Sequence, residues 1–74
     1  MIKVYSKENC AYCSQAKRYL EKINKPYESL MLNEDFSRDD VVAKFPTART
    51  FPIIVIDNQY IGGYNELRKY YEGD

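Results

Sequence analysis

The chain has 74 residues, read as one small domain over residues 1–74 with no linker and no second domain. Apolar residues make up 45% and charged residues 30%, the balance of an ordinary globule, and the longest apolar run, Ile53–Ile56, is too short to cross a bilayer. Lys and Arg number 11 against 11 Asp and Glu, which argues against a strongly basic nucleic-acid binder, and the absence of histidine excludes His general-base catalysis and His-ligated zinc.

Ile2-Lys3-Val4-Tyr5 alternates and predicts a first strand. Residues 11–24 predict a helix, because Cys13, Ala16, Leu20 and Ile23 recur on one face of a 3.6-residue period. Asn24-Lys25-Pro26 is expected to end it, since the residue before proline is pushed out of the α region. Residues 27–32 predict a second strand. Ser37 followed by Asp40 predicts a capped short helix through Phe45, with Val41, Val42 and Phe45 as its apolar residues. Residues 51–57 are apolar on both alternating faces, so this strand is expected to be central and covered on both sides. Asp57-Asn58 predicts a hairpin turn into Gln59-Tyr60-Ile61, Gly62-Gly63 breaks the chain, and Tyr64, Leu67 and Tyr71 mark a last amphipathic helix. The order β-α-β-α-β-β-α implies an α/β fold, a four-stranded mixed sheet with three helices on its faces, and resembles the minimal thioredoxin-like fold.

Cys10-Ala11-Tyr12-Cys13 carries the sharpest chemistry. Cys10 follows a strand and starts a helix, where free backbone N–H groups and the helix dipole favour a thiolate. Cys13 lies one turn on, so the two sulfurs can bridge and separate with little backbone movement. As a staple, so short a loop would contribute only about 2 kcal/mol. A redox pair is the better reading. A metal shared between two chains is the competing use of two thiolates.

Thr50-Phe51-Pro52 is the second signal. Proline at the head of a buried strand removes a ladder donor. Beside a C-x-x-C it reads as a cis proline that would leave the Phe51 backbone free to pair with an extended ligand. Gly62-Gly63 before a helix start is the third, where backbone can approach an anionic ligand closely. Lys7, three residues before Cys10, is placed to favour the thiolate and to hold a carboxylate. Most of the eight tyrosines are expected to be half-buried, and only Tyr12 is placed by its ring to touch a substrate. Charge is uneven: residues 1–25 hold six cations (Lys3, Lys7, Lys17, Arg18, Lys22, Lys25) against Glu8 and Glu21, around the only two cysteines. The first residues, Met1-Ile2-Lys3-Val4-Tyr5, lack an apolar signal stretch, so a cytoplasmic location is expected.

Together these pieces resemble glutaredoxin. The family pattern is a lysine three residues before C-P-Y-C, then Arg-Thr-Val-Pro, then Gly-Gly-x-x-Asp-Leu. This chain reads Lys7, Cys10-Ala11-Tyr12-Cys13, Arg49-Thr50-Phe51-Pro52 and Gly62-Gly63-Tyr64-Asn65-Glu66-Leu67. The short length and the ending Ile61–Arg68 are similar to small glutaredoxins of tailed bacteriophages.

The resemblance implies a glutathione-dependent thiol–disulfide oxidoreductase with Cys10 attacking and Cys13 resolving. It implies that Lys7 and Arg49 pair with the glycine carboxylate of glutathione. The Thr50-Phe51-Pro52 backbone would meet the cysteinyl part, with Tyr12 alongside. Gly63, Tyr64, Asn65 and Glu66 would hold the γ-glutamyl end. Ala11, Phe51 and Glu66 depart from the family's proline, valine and aspartate. The first bears on redox potential, the others on glutathione affinity. Disulfide-containing proteins are the implied substrates, ribonucleotide reductase among them. No nucleic acid, membrane or metal partner is expected, and the chain is expected to act as a monomer, in host cytoplasm if phage-encoded. Two other readings stay open: reduction by thioredoxin reductase, and an iron–sulfur carrier in which two chains and glutathione hold a cluster, which Ala11 favours.

Overall fold

The computed structural model describes residues 1–48 and 50–73. The elements run β1 (Ile2–Ser6), α1 (Ala11–Lys22), β2 (Tyr27–Met31), α2 (Arg38–Lys44), β3 (Ile53–Ile56), β4 (Gln59–Gly62) and α3 (Tyr64–Glu72). They build the expected four-stranded mixed sheet, in the order β2-β1-β3-β4. β1 pairs parallel with β2, with Ile2 opposite Tyr27, and antiparallel with β3, with Val4 opposite Ile54. The parallel pair needs a crossover, and α1 supplies it.

The pleat divides the core in two. Ile2, Val4, Ile54 and Ile56 point to one face, where Ala16 and Leu20 of α1 and Leu67 of α3 cover them. Tyr5, Ile53 and Val55 point to the other, under Val41 of α2 and the rings of Phe36, Phe45 and Phe51. All four residues of β3 are buried, as its two-faced apolar run predicts.

Several boundaries differ from expectation for local reasons. α1 ends at Lys22, before the proline has any say. Asn24 takes the left-handed conformation at φ 60°. Its N–H donates to Glu21 O at 3.1 Å and the Lys25 N–H to Leu20 O at 2.9 Å, a Schellman closure with asparagine in glycine's place. α2 has the expected reciprocal cap: Asp40 N–H donates to Ser37 Oγ at 3.2 Å and Ser37 N–H to Asp40 Oδ2 at 3.0 Å. That backbone donor holds the Asp40 carboxyl below the usual carboxylate range. α2 stops at Lys44, and of its apolar residues Val41 is buried whereas Val42 is 62% exposed. Phe51 and Pro52 precede β3 rather than opening it. Asp57 and Asn58 sit at φ 51° and 66°, the left-handed pair that a tight hairpin requires. Of the eight tyrosines only Tyr19, Tyr27, Tyr64 and Tyr71 are half-buried; Tyr5 is buried and Tyr12, Tyr60 and Tyr70 are exposed. Among the described residues no helix is long and apolar enough to cross a membrane.

Tyr27 ties β2 to α1, donating its hydroxyl to Glu21 Oε2 at 2.7 Å. Burial, then this bond, push its phenol up to about 12. The folded value lies above the unfolded value near 10, so the stabilisation is whole below about pH 10 and fades as pH passes the folded value. In urea unfolding, the midpoint advantage of the wild type over Tyr27→Phe is expected to be flat from pH 7 to about 10 and to shrink above that.

Candidate active site

α1 starts immediately beyond the C-terminal end of β1, after the loop of residues 7–10. Cys10 is its N-cap, in extended backbone conformation. Its Sγ accepts the Cys13 N–H at 3.2 Å, and its carbonyl accepts the Ser14 N–H at 3.3 Å. The sulfur thus takes the place of the oxygen of a serine or aspartate cap, where helix-start donors favour negative charge. Cys10 and Cys13 form a disulfide with their Cα atoms 5.3 Å apart. The two sulfurs are unequal in access: Cys10 is half-buried, whereas Cys13 is 2% exposed on the same stripe of α1 as Ala16 and Leu20.

Beside the disulfide lies a groove of about 210 Å³. Three separated segments wall it: Tyr12 from α1, Thr50-Phe51-Pro52 from the loop before β3, and Gly63-Tyr64-Asn65-Glu66 from the start of α3. The Phe51–Pro52 bond is cis, as the sequence suggested. The Tyr12 and Tyr64 rings, both on the groove wall, have centroids 6.0 Å apart, so Tyr64 joins Tyr12 as a second ring within reach of a bound molecule. Phe51 is half-buried and rests on Phe36, ring centroids 6.2 Å apart, and Phe36 in turn packs edge-on against Tyr5 at 5.0 Å. Phe36 therefore props the groove wall from behind. No local motif in the sequence marks it for that task.

Glu66 plays a part that the sequence reading did not contain. Its Oε1 accepts the Gly63 N–H at 2.8 Å, closing the start of α3, so one carboxylate oxygen is engaged within the chain. The space for that carboxylate exists because Gly62 has no side chain. A Cβ there would fall 2.6 Å from Glu66 Cγ, and the backbone at Gly62 has φ +136°. The glycine pair was legible; which of the two the backbone demands was not.

Lys7 is exposed on the β1–α1 loop and forms no part of the groove wall. Arg49, its proposed companion on the glycine carboxylate, lies outside the described residues. Ser6, just before Lys7, is wholly buried, and its Oγ has no hydrogen-bond partner among the described residues. No group of three or more His, Cys, Asp or Glu side chains capable of holding a metal gathers among the described residues.

Comparison with known proteins identifies this frame. The glutaredoxin family model matches residues 2–61. Glutaredoxin 3 of Escherichia coli K12 is 32% identical over 66 residues, covering 89% of this chain and 80% of its own length. Glutaredoxin 1 of Rickettsia bellii is 38% identical over 72 residues, covering 89% of this chain and 71% of its own. Among solved structures, reduced Escherichia coli glutaredoxin superposes with a TM-score of 0.83 at 25% identity, covering 99% of this chain and 94% of that one. The buckwheat glutaredoxin–glutathione complex gives 0.79 at 28% identity, covering 97% and 69%. The fold is thioredoxin-like, with the element order read from the sequence.

Proposed function

Because this chain belongs to the glutaredoxin family and is a thiol–disulfide oxidoreductase, we propose that it reduces protein disulfides and glutathione mixed disulfides through Cys10 and Cys13, with glutathione as its reductant. The observation that carries the glutathione reading is the groove beside the disulfide, which gathers Tyr12, the Thr50–Pro52 segment and the start of α3 in one place. A relative of this fold, from buckwheat, forms a complex with glutathione.

In the proposed cycle the Cys10 thiolate attacks one sulfur of a substrate disulfide, and the other sulfur leaves as a thiolate that takes up a proton. Cys13 then gives up its proton and attacks the Cys10 sulfur of the mixed disulfide. The Cys10–Cys13 bond forms and the second substrate thiol departs, so two electrons have passed to the substrate. One glutathione thiolate opens the Cys10–Cys13 bond, and a second releases the first as glutathione disulfide. Cys10 suits the attack through its exposure and the Cys13 N–H aimed at its sulfur. Cys13 suits the resolving step because it is reachable only from within. Glutathione would lie with its cysteinyl part along Phe51, its γ-glutamyl end at the N–H groups of Tyr64 and Asn65, and its glycine carboxylate toward Lys7 and Arg49.

Residues 1–74 would then act as one monomeric glutaredoxin domain in the cytoplasm. The likeness of its ending to phage glutaredoxins makes ribonucleotide reductase the first protein substrate to assay. Turnover with glutathione and with thioredoxin reductase, each as sole reductant, tests the donor, and only glutathione is expected to sustain it. Arg49→Ala is expected to weaken glutathione-dependent turnover about 5- to 100-fold through the glutathione term, because a charge-assisted contact is worth about 1.5–3 kcal/mol where well desolvated and less where exposed. An unchanged rate at every glutathione concentration, or equal turnover with thioredoxin reductase, would overturn the glutathione assignment.

A further inference from the structure

Tyr64 forms part of the wall of the groove beside the cysteines. Tyr64 also lines a second trough, of about 300 Å³, that runs between α1 and α3. A third hollow, of about 400 Å³, shares Lys22 and Glu72 with it and carries the trough on toward the C-terminal end of α1. Among the described residues Arg18, Lys22, Lys25 and Arg68 line this length, against the carboxylate of Glu72. Arg68 and Glu72 offset each other, Arg68 Nε donating to Glu72 Oε2 at 3.1 Å, so the positive excess is carried by Arg18, Lys22 and Lys25. Arg18 and Lys22 are one helical turn apart on α1, and both are exposed. A chain of zero formal net charge therefore holds a concentrated positive track that starts at the redox groove.

We propose that this trough takes an acidic segment of the protein substrate, a run of Asp and Glu flanking the disulfide that Cys10 attacks. The proposal rests on the oxidoreductase reading and narrows its substrate class. Charge complementarity selects an anion, and the position of the trough, adjoining the groove at Tyr64, selects a protein one: a substrate with its sulfur at Cys10 lays its flanking chain beside the trough, and a nucleic acid has no sulfur to bring there. Length sets the spacing. α1 spans about 18 Å at 1.5 Å per residue, and an extended chain covers that in about six residues. The acidic residues are thus expected within about six positions of the substrate cysteine.

The test uses the intact protein and peptide disulfides that differ only in the flank: Asp/Glu within about six residues of the cysteine, the same run moved more than twice as far away, or Lys/Arg in its place. Wild type is expected to prefer the near acidic flank, and Arg18→Glu with Lys22→Glu to lower its kcat/KM about tenfold while raising that of the basic flank. The preference is expected to fade as salt shortens the screening length. Turnover of the small cysteine–glutathione mixed disulfide is expected to stay unchanged, and Arg18→Gln with Lys22→Gln to give the intermediate result with less disturbance of the helix. Binding of a serine-for-cysteine acidic peptide, read by fluorescence anisotropy, follows the trough apart from the chemistry. If the redox reading were wrong, turnover would vanish on every disulfide while this binding and its charge dependence remained. An acidic-to-basic preference unmoved by the charge reversals, or a single-stranded oligonucleotide that outcompetes the acidic peptide at equal salt, would overturn the proposal.

Discussion

Cys10→Ser is expected to abolish every activity of the protein, whereas Cys13→Ser is expected to abolish only the reactions that need two thiols. A serine hydroxyl is a far weaker nucleophile than a thiolate, and loss of an attacking group costs about 10³-fold or more in turnover. With Cys10 in place and Cys13 gone, a protein disulfide would stop at the mixed disulfide with Cys10. Removal of glutathione from a glutathionylated thiol needs one attack by Cys10 and one by free glutathione, so it is expected to survive. The unequal burial of the two sulfurs supports the order: Cys13 is 2% exposed, while Cys10 caps the helix and reaches solvent. In the reduced wild type Cys10 is accordingly expected to be alkylated at least about tenfold faster than Cys13. Faster labelling of Cys13, or loss of both activities in a folded Cys13→Ser variant, would reverse the roles.

How much of this could be read in advance follows from the range of the interactions. The elements were legible because they are local. The 3.6-residue stripe of α1 (Cys13, Ala16, Leu20), the two-faced apolar run of β3 and the Ser37–Asp40 cap of α2 each place their cause within a few residues of their effect. The ends were less legible where a second local device acted first: Asn24 closes α1 two residues before the proline that was expected to stop it. The candidate groove was legible in its membership, since each described residue that lines it was named from the Cys10–Cys13, Thr50–Pro52 and Gly63–Glu66 segments. It was not legible in its supports. Phe36 reaches Phe51 only after the sheet has formed, across a separation that no spacing rule covers. The positive trough was equally hidden, because Arg68 comes from α3 and Arg18, Lys22 and Lys25 from the region of α1, and only packing of the two helices puts them on one track.

Gly62 and Gly63, adjacent and identical in the sequence, are expected to fail in opposite ways when replaced by alanine. Gly62 ends β4 opposite Ile54 with φ +136°, a region that side chains with a Cβ rarely enter. Holding alanine there costs about 1–3 kcal/mol in the backbone alone. The added methyl would also meet Glu66 Cγ at 2.6 Å and Glu66 Cβ at 2.8 Å, pushing away the carboxylate that accepts the Gly63 N–H and so opening the start of α3. Lost helix caps cost about 0.5–2 kcal/mol. Against a margin of about 3–5 kcal/mol for a domain this small, Gly62→Ala is expected to lower Tm by about 10 °C or more, or to unfold the chain. At Gly63 the backbone has φ −102°, open to any residue, and the nearest atoms to an added methyl would be Glu66 Oε1 at 3.4 Å and the Pro52 carbonyl at 3.6 Å. Stability is therefore expected to change little. The same methyl, however, would stand between the Pro52 and Glu66 walls of the groove, where the γ-glutamyl end is proposed to lie. Gly63→Ala is expected to keep its Tm and lose glutathione-dependent turnover through a raised KM for glutathione. A thermal melt and a glutathione titration of the two variants separate the roles: a stable Gly62→Ala would overturn the steric account, and an unaffected glutathione KM in Gly63→Ala would place the tripeptide elsewhere.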